Sequence, residues 1–164
     1  MRSLGEVGHL ARRFWWSVRA TPPSPDDEAW ACQHLAPAEA ELWRRQHPLD
    51  RRHTLAVARS LLAAHPEAPA WVVEAALLHD VGKVEAGLGV PGRTLATVLE
   101  LCRVRSAPGA LGRYLTYTGR GAELLAGVGA APEVVAWARE HHEPPSAWSV
   151  PHEWGEALAA ADRA

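Results

Sequence analysis

The spacing of apolar residues in this chain leaves room for helices and almost none for strands. The Val and Ile alternation that builds a half-buried strand is missing, and Ala, Leu, Arg and Glu fill the periodic segments. The expected fold is therefore all-α. A chain of 164 residues is about one domain. At 48% hydrophobic residues it can bury a real core.

Breakers divide the chain into helices. An amphipathic first helix is expected over residues 4–19, with the run Thr21 to Asp27 and its three prolines as the breaker that follows. Helices are expected over 28–35 and over 37–46, the latter with Pro37 in its first turn. Asp50 is the expected N-cap of a helix reaching residue 64. Another spans 70–80, and the glycines at 82, 87, 89 and 92 make the next stretch a loop. Further helices are expected over 94–104, 121–127, 132 to about 142, and 153–161, with a helix or turn over 111–116.

Composition excludes some roles. A net charge of -2 carries no basic footprint for a nucleic-acid duplex. No apolar run approaches the ~20 residues of a membrane span. The stretch after Arg12-Arg13, Phe14-Trp15-Trp16, stops at Ser17 and Arg19, too short for a signal core. Cys32 and Cys102 lack metal or redox spacing and read as reduced thiols. A cytoplasmic protein is the expectation.

Chemistry concentrates where the apolar run Ala75-Ala76-Leu77-Leu78 ends in His79-Asp80, followed by Val81-Gly82-Lys83. Burying an imidazole and a carboxylate there is costly unless something pairs with them. A divalent cation would do so. Residues 65–69 form a tight connection, so the helices on either side fold back as an antiparallel hairpin. His53 lies about 12 residues before that connection and His79 about 10 after it. At ~1.5 Å per residue both stand ~15–18 Å from the turn, level with each other.

Later, another apolar helix ends in His141-His142, and Asp162 terminates Ala159-Ala160-Ala161. Imidazoles and carboxylates gathered at helix tips suit Mn, Fe, Co, Ni or Zn, as one ion or two. Lys83 is the only lysine in the chain, a compact cation inside the motif. Arg52 and Arg120, near these residues, are candidate phosphate contacts. His9, His34, His47, His65 and His152 have no partner spacing and read as structural.

Taken in order, His53, His79-Asp80 and Asp162 resemble the H…HD…D signature of the HD superfamily of metal-dependent phosphohydrolases. Gly121-Ala122-Glu123-Leu124-Leu125 and His141-His142 are similar to its binuclear branch, which includes HD-GYP phosphodiesterases and diadenosine tetraphosphate hydrolases. The resemblance implies an HD-domain helical bundle over 37–164, with residues 1–36 as an N-terminal helical extension. It implies an ion held by His53, His79, Asp80 and Asp162. His141 and His142, with Asp80 bridging, would hold a second. Asp80 would orient a water for attack on phosphorus, and Lys83 would neutralise a phosphate oxygen.

Two departures stand out. Tyr117 occupies the place of an expected His and reads as a core ring with a bonded hydroxyl. The Gly-Tyr-Pro element is replaced by Glu143-Pro144-Pro145, against a cyclic dinucleotide substrate. The expected activity is hydrolysis of a nucleotide or other small phosphorylated metabolite, by a monomer or a homodimer. A metal- and nucleotide-binding regulatory module without turnover is one alternative. An HD-type di-iron oxygenase is another.

Overall fold

A computed structural model describes residues 22–85 and 116–164. The expected helices over 4–19 and 94–104, and all but Thr116 of the helix or turn over 111–116, lie outside the described residues. So do His9, Phe14-Trp15-Trp16 and Cys102. Among the described residues there are seven α-helices and no strand, so the fold is all-α. They are α1 (Pro25–Gln33), α2 (Pro37–Arg45), α3 (Pro48–Ala64), α4 (Ala70–Leu78), α5 (Tyr117–Gly127), α6 (Pro132–Glu140) and α7 (His152–Arg163). Short 3-10 turns cover Val81–Glu85 and Pro145–Ala147. None of these helices is long and apolar enough to cross a membrane.

Local chemistry sets the starts. Ser24 caps α1 by a reciprocal exchange: its hydroxyl accepts from Asp27 N–H at 3.1 Å, and the Asp27 carboxylate accepts from Ser24 N–H at 3.3 Å. Glu39 does half of this for α2, accepting from Ala36 N–H at 2.8 Å. The start of α3 corrects the expectation of Asp50 as N-cap. Pro48 is pre-set for a first helical position, so the helix begins three residues earlier and His47 caps it through Leu49 N–H. Asp50 is buried inside the first turn.

The central element is α4. Its sequence, AWVVEAALL, is apolar almost all round, and such a helix is stable only when covered on every side. Here α3 packs along it, α6 and α7 cover other faces, and α2 closes the end. Leu77 and Leu78 are fully buried, with Leu61 of α3 and Leu158 of α7 in the same cluster. Ala31 and Leu35, from the segment expected as an extension, belong to this core too. Arg51 pairs with Glu28 and Arg59 with Asp27, fastening α1 onto α3.

Trp43 of α2 is fully buried, and its indole N–H donates to Thr54 Oγ1 of α3 at 3.1 Å. Thr54→Val keeps the shape and removes the acceptor. An unsatisfied buried donor costs about 1–3 kcal/mol. The variant should lose that much in urea unfolding with an unchanged m-value, and an unchanged midpoint would refute the assignment.

Of the loop expected after Asp80, Val81–Glu85 form a 3-10 turn packed on α5, and the rest lies outside the described residues. The contact is backbone to backbone. A Cβ on Gly82 would lie 1.9 Å from the Tyr117 carbonyl oxygen and 2.6 Å from Gly121 N. The two glycines let the turn and the helix approach closely. That contact carries Tyr117 up to the His79-Asp80 corner.

Candidate metal centre

Three helix tips deliver the inner side chains. The α3–α4 hairpin brings the His53 and His79 rings to 5.6 Å between centroids. Asp80 follows directly, in the turn that ends α4. Helix α7, packed on α3 and α4, supplies Asp162 from its last turn. Nδ1 of His79 donates to the Ala76 carbonyl at 3.0 Å, so the neutral ring presents an Nε2 lone pair. That Nε2 lies 3.7 Å from Asp80 Oδ2 and 3.6 Å from Asp162 Oδ1. His53 Nε2 donates to Asp162 Oδ1 at 2.8 Å.

His53, His79 and Asp80 each offer a ligand atom within 4.8 Å of the others. His79 and Asp80 are 3% and 2% exposed. The electrostatics leave the donors in the forms a cation needs. Burial holds the His79 imidazole below its usual range, outweighing the carboxylates beside it. Burial alone would raise Asp80, but the Lys83 ammonium and the surrounding imidazoles keep it well below the ordinary carboxylate range. Burial likewise opposes ionisation of Asp162, yet the His53 hydrogen bond and the nearby imidazoles lower it to about 2. His53 differs: burial disfavours its charge, but the bond to Asp162 and the field of Asp80 raise it.

A mixed set of neutral imidazole nitrogen and ionised carboxylate oxygen, buried and convergent, fits a divalent transition-metal ion. His79 also has the backbone partner on its far nitrogen that metal-ligating histidines usually have.

Lys83 does not stand apart as a free phosphate contact. Its ammonium pairs with Asp80 Oδ2 at 2.6 Å and lies 4.8 Å from the centre of the Tyr117 ring. His141 and His142, just beyond α6, form a second layer. The His141 ring is 5.1 Å from His79, and its Nδ1 faces the carbonyls of Trp137 and Ala138. Burial, then the neighbouring His79 and His142, lower His141 to about 3. His142 is exposed. The Trp148 indole N–H donates to the carbonyls of Glu140 and Glu143, which fixes the chain around this pair.

The remaining sequence candidates are exposed. Arg52 is exposed on α3. Arg120 is half exposed on α5 and pairs with Glu123 at 2.5 Å. The role of Tyr117 in joining the two layers left one sequence signal, its place four residues before Gly121-Ala122.

The chain matches no family model, no curated protein and no solved structure.

Proposed function

We propose that this protein is a metal-dependent phosphohydrolase of the HD type, acting on a nucleotide or another small phosphorylated metabolite. The observation that carries the reading is the convergence of His53, His79 and Asp80 at a buried corner, with Asp162 beside them. The motif order His53, His79-Asp80, Asp162 supports it.

In this reading His53, His79, Asp80 and Asp162 hold the ion. A divalent cation, when bound, supplies Lewis acidity toward water and toward a phosphoryl oxygen. Asp80, ionised and fixed on one oxygen by Lys83, would orient the attacking water through its other oxygen. Lys83 balances the charge of that carboxylate and adds positive potential for an incoming phosphate. Arg52 and Arg120 are weaker candidates for contact with a substrate phosphate.

The test is a panel of phosphomonoesters, phosphodiesters and nucleoside polyphosphates, with protein loaded with Mn, Fe, Co or Ni. Phosphate or nucleotide release that depends on the metal is the expected result. Protein that carries metal yet turns over no member of the panel contradicts the hydrolase reading.

A pH dependence follows from His53. Its Nε2 must give up the proton now donated to Asp162 before it can hold a cation. Its pKa is raised above the ordinary 6.5, so below the raised value the ring holds two protons and a cation must displace one, whereas well above it the neutral ring can carry its one proton on Nδ1 and offer Nε2. Metal affinity therefore falls as pH falls through that value. Calorimetric titration in buffers of different ionisation enthalpy should detect about one proton released per ion near pH 5.5 and almost none near pH 9. Equal release at both would remove His53 from the ligand set.

A further inference from the structure

The Tyr117 hydroxyl is within hydrogen-bond distance of both outer imidazoles, at 3.1 Å from His141 Nε2 and 2.6 Å from His142 Nε2. It has one proton to give. His141 Nδ1 faces two carbonyl oxygens, at 3.1 and 3.2 Å, and carbonyls only accept. Nδ1 therefore carries the ring proton, and Nε2 of the neutral ring is a lone pair. Only one polarity satisfies all three groups. Tyr117 donates to His141 Nε2 and accepts from His142 Nε2–H.

A second cation in the space that Tyr117 fills would need that His141 lone pair, the His142 Nε2 beside it and a bridging oxygen of Asp80. None is on offer. The two imidazoles are engaged by the phenol, and Asp80 Oδ2 is engaged by Lys83 at 2.6 Å. The Lys83 ammonium also lies against the Tyr117 ring, so a positive charge already borders the space. Tyr117 itself is only 2% exposed and held by the Gly82–Gly121 contact.

We infer that Tyr117 and Lys83 close the outer histidine pair to metal, so that this centre takes a single ion at His53, His79 and Asp80. This rests on the reading of those three residues as a cation site. His141 and His142 then serve as a hydrogen-bonded support for the inner site instead of the ligands their sequence position implies. A single-ion centre has no place for di-iron oxygen chemistry.

The experiment uses the full chain and Mn(II) as the probe, with stoichiometry by elemental analysis and spin state by electron paramagnetic resonance. Wild type should hold one ion per chain with the spectrum of an isolated Mn(II). Tyr117→Phe combined with Lys83→Met keeps the packing, frees both imidazoles and the Asp80 oxygen, and should hold two ions with a spin-coupled signal. Two coupled ions in wild type would overturn the inference and leave the hydrolase reading standing. A double variant that still holds one would also overturn it. No ion in wild type would overturn both. Independently of any variant, nitrogen-15 spectra of the metal-free protein should show His141 as the Nδ1–H tautomer. An Nε2–H tautomer would contradict the hydrogen-bond direction on which the inference stands.

Discussion

Replacing His79 by alanine is expected to lower Mn(II) affinity by well over about 100-fold and to remove phosphoester hydrolysis. Loss of an outer partner of a metal ligand typically costs about 10–100-fold, and loss of a ligand costs more. The effect should be large here because His79 stands between the other donors. Its ring lies 5.6 Å from His53, and its Nε2 is within 4 Å of oxygens of both Asp80 and Asp162. Asp80 keeps its Lys83 partner in the variant, so the carboxylate is not left without a counter-charge. Circular dichroism and thermal unfolding of the metal-free protein should therefore show a folded chain. Equilibrium dialysis reads the affinity. Unchanged affinity in a folded variant would remove His79 from the site.

The second large effect is expected at Gly82. An alanine there places its methyl 1.9 Å from a backbone oxygen and 2.8 Å from the backbone carbon of Tyr117. Backbone cannot rotate out of the way as a flexible side chain would, so the turn and α5 must separate. Overpacking in a tight interior costs typically 1–3 kcal/mol, and this geometry belongs at or above the top of that range. For a chain of this size about 3 kcal/mol is a fall in Tm of roughly 10 °C. The separation also shifts Asp80, two residues before Gly82, relative to His53 and His79, so affinity at the inner site should weaken together with stability. Gly119→Ala, on the same helix with nothing near its added Cβ, is the control and should leave both nearly unchanged. A Gly82→Ala protein as stable as wild type would show that the turn and α5 do not meet as described.

These two cases mark what the sequence discloses and what it withholds. His79 was legible because hydrophobic period and loop length are local quantities. A short connection between two helices forces antiparallel packing, and counting residues from it puts 53 and 79 at one level. The apolar run into His79-Asp80 likewise announced a buried end. The Gly82–Gly121 contact was not legible, because no periodic signal relates two glycines 39 positions apart. Nor was the pairing of Lys83 with Asp80: glycines around it read as loop, whereas a 3-10 turn sets residues three apart on one side. Tyr117 was expected as a core ring with a bonded hydroxyl, and it is buried with that hydroxyl on the two imidazoles. Which groups it bonds depended on the packing of α5 against α6, a tertiary fact. Helix starts shifted where proline chemistry outweighed a generic cap, as at Pro48.

The most direct test is a crystal of the full chain grown with Mn or Co, with anomalous diffraction measured at the metal edge. The account predicts a peak in coordination contact with the imidazole nitrogens of residues 53 and 79 and with the carboxylate of residue 80. A metal-loaded crystal whose anomalous density lies elsewhere, or touches only one of those three side chains, would contradict it.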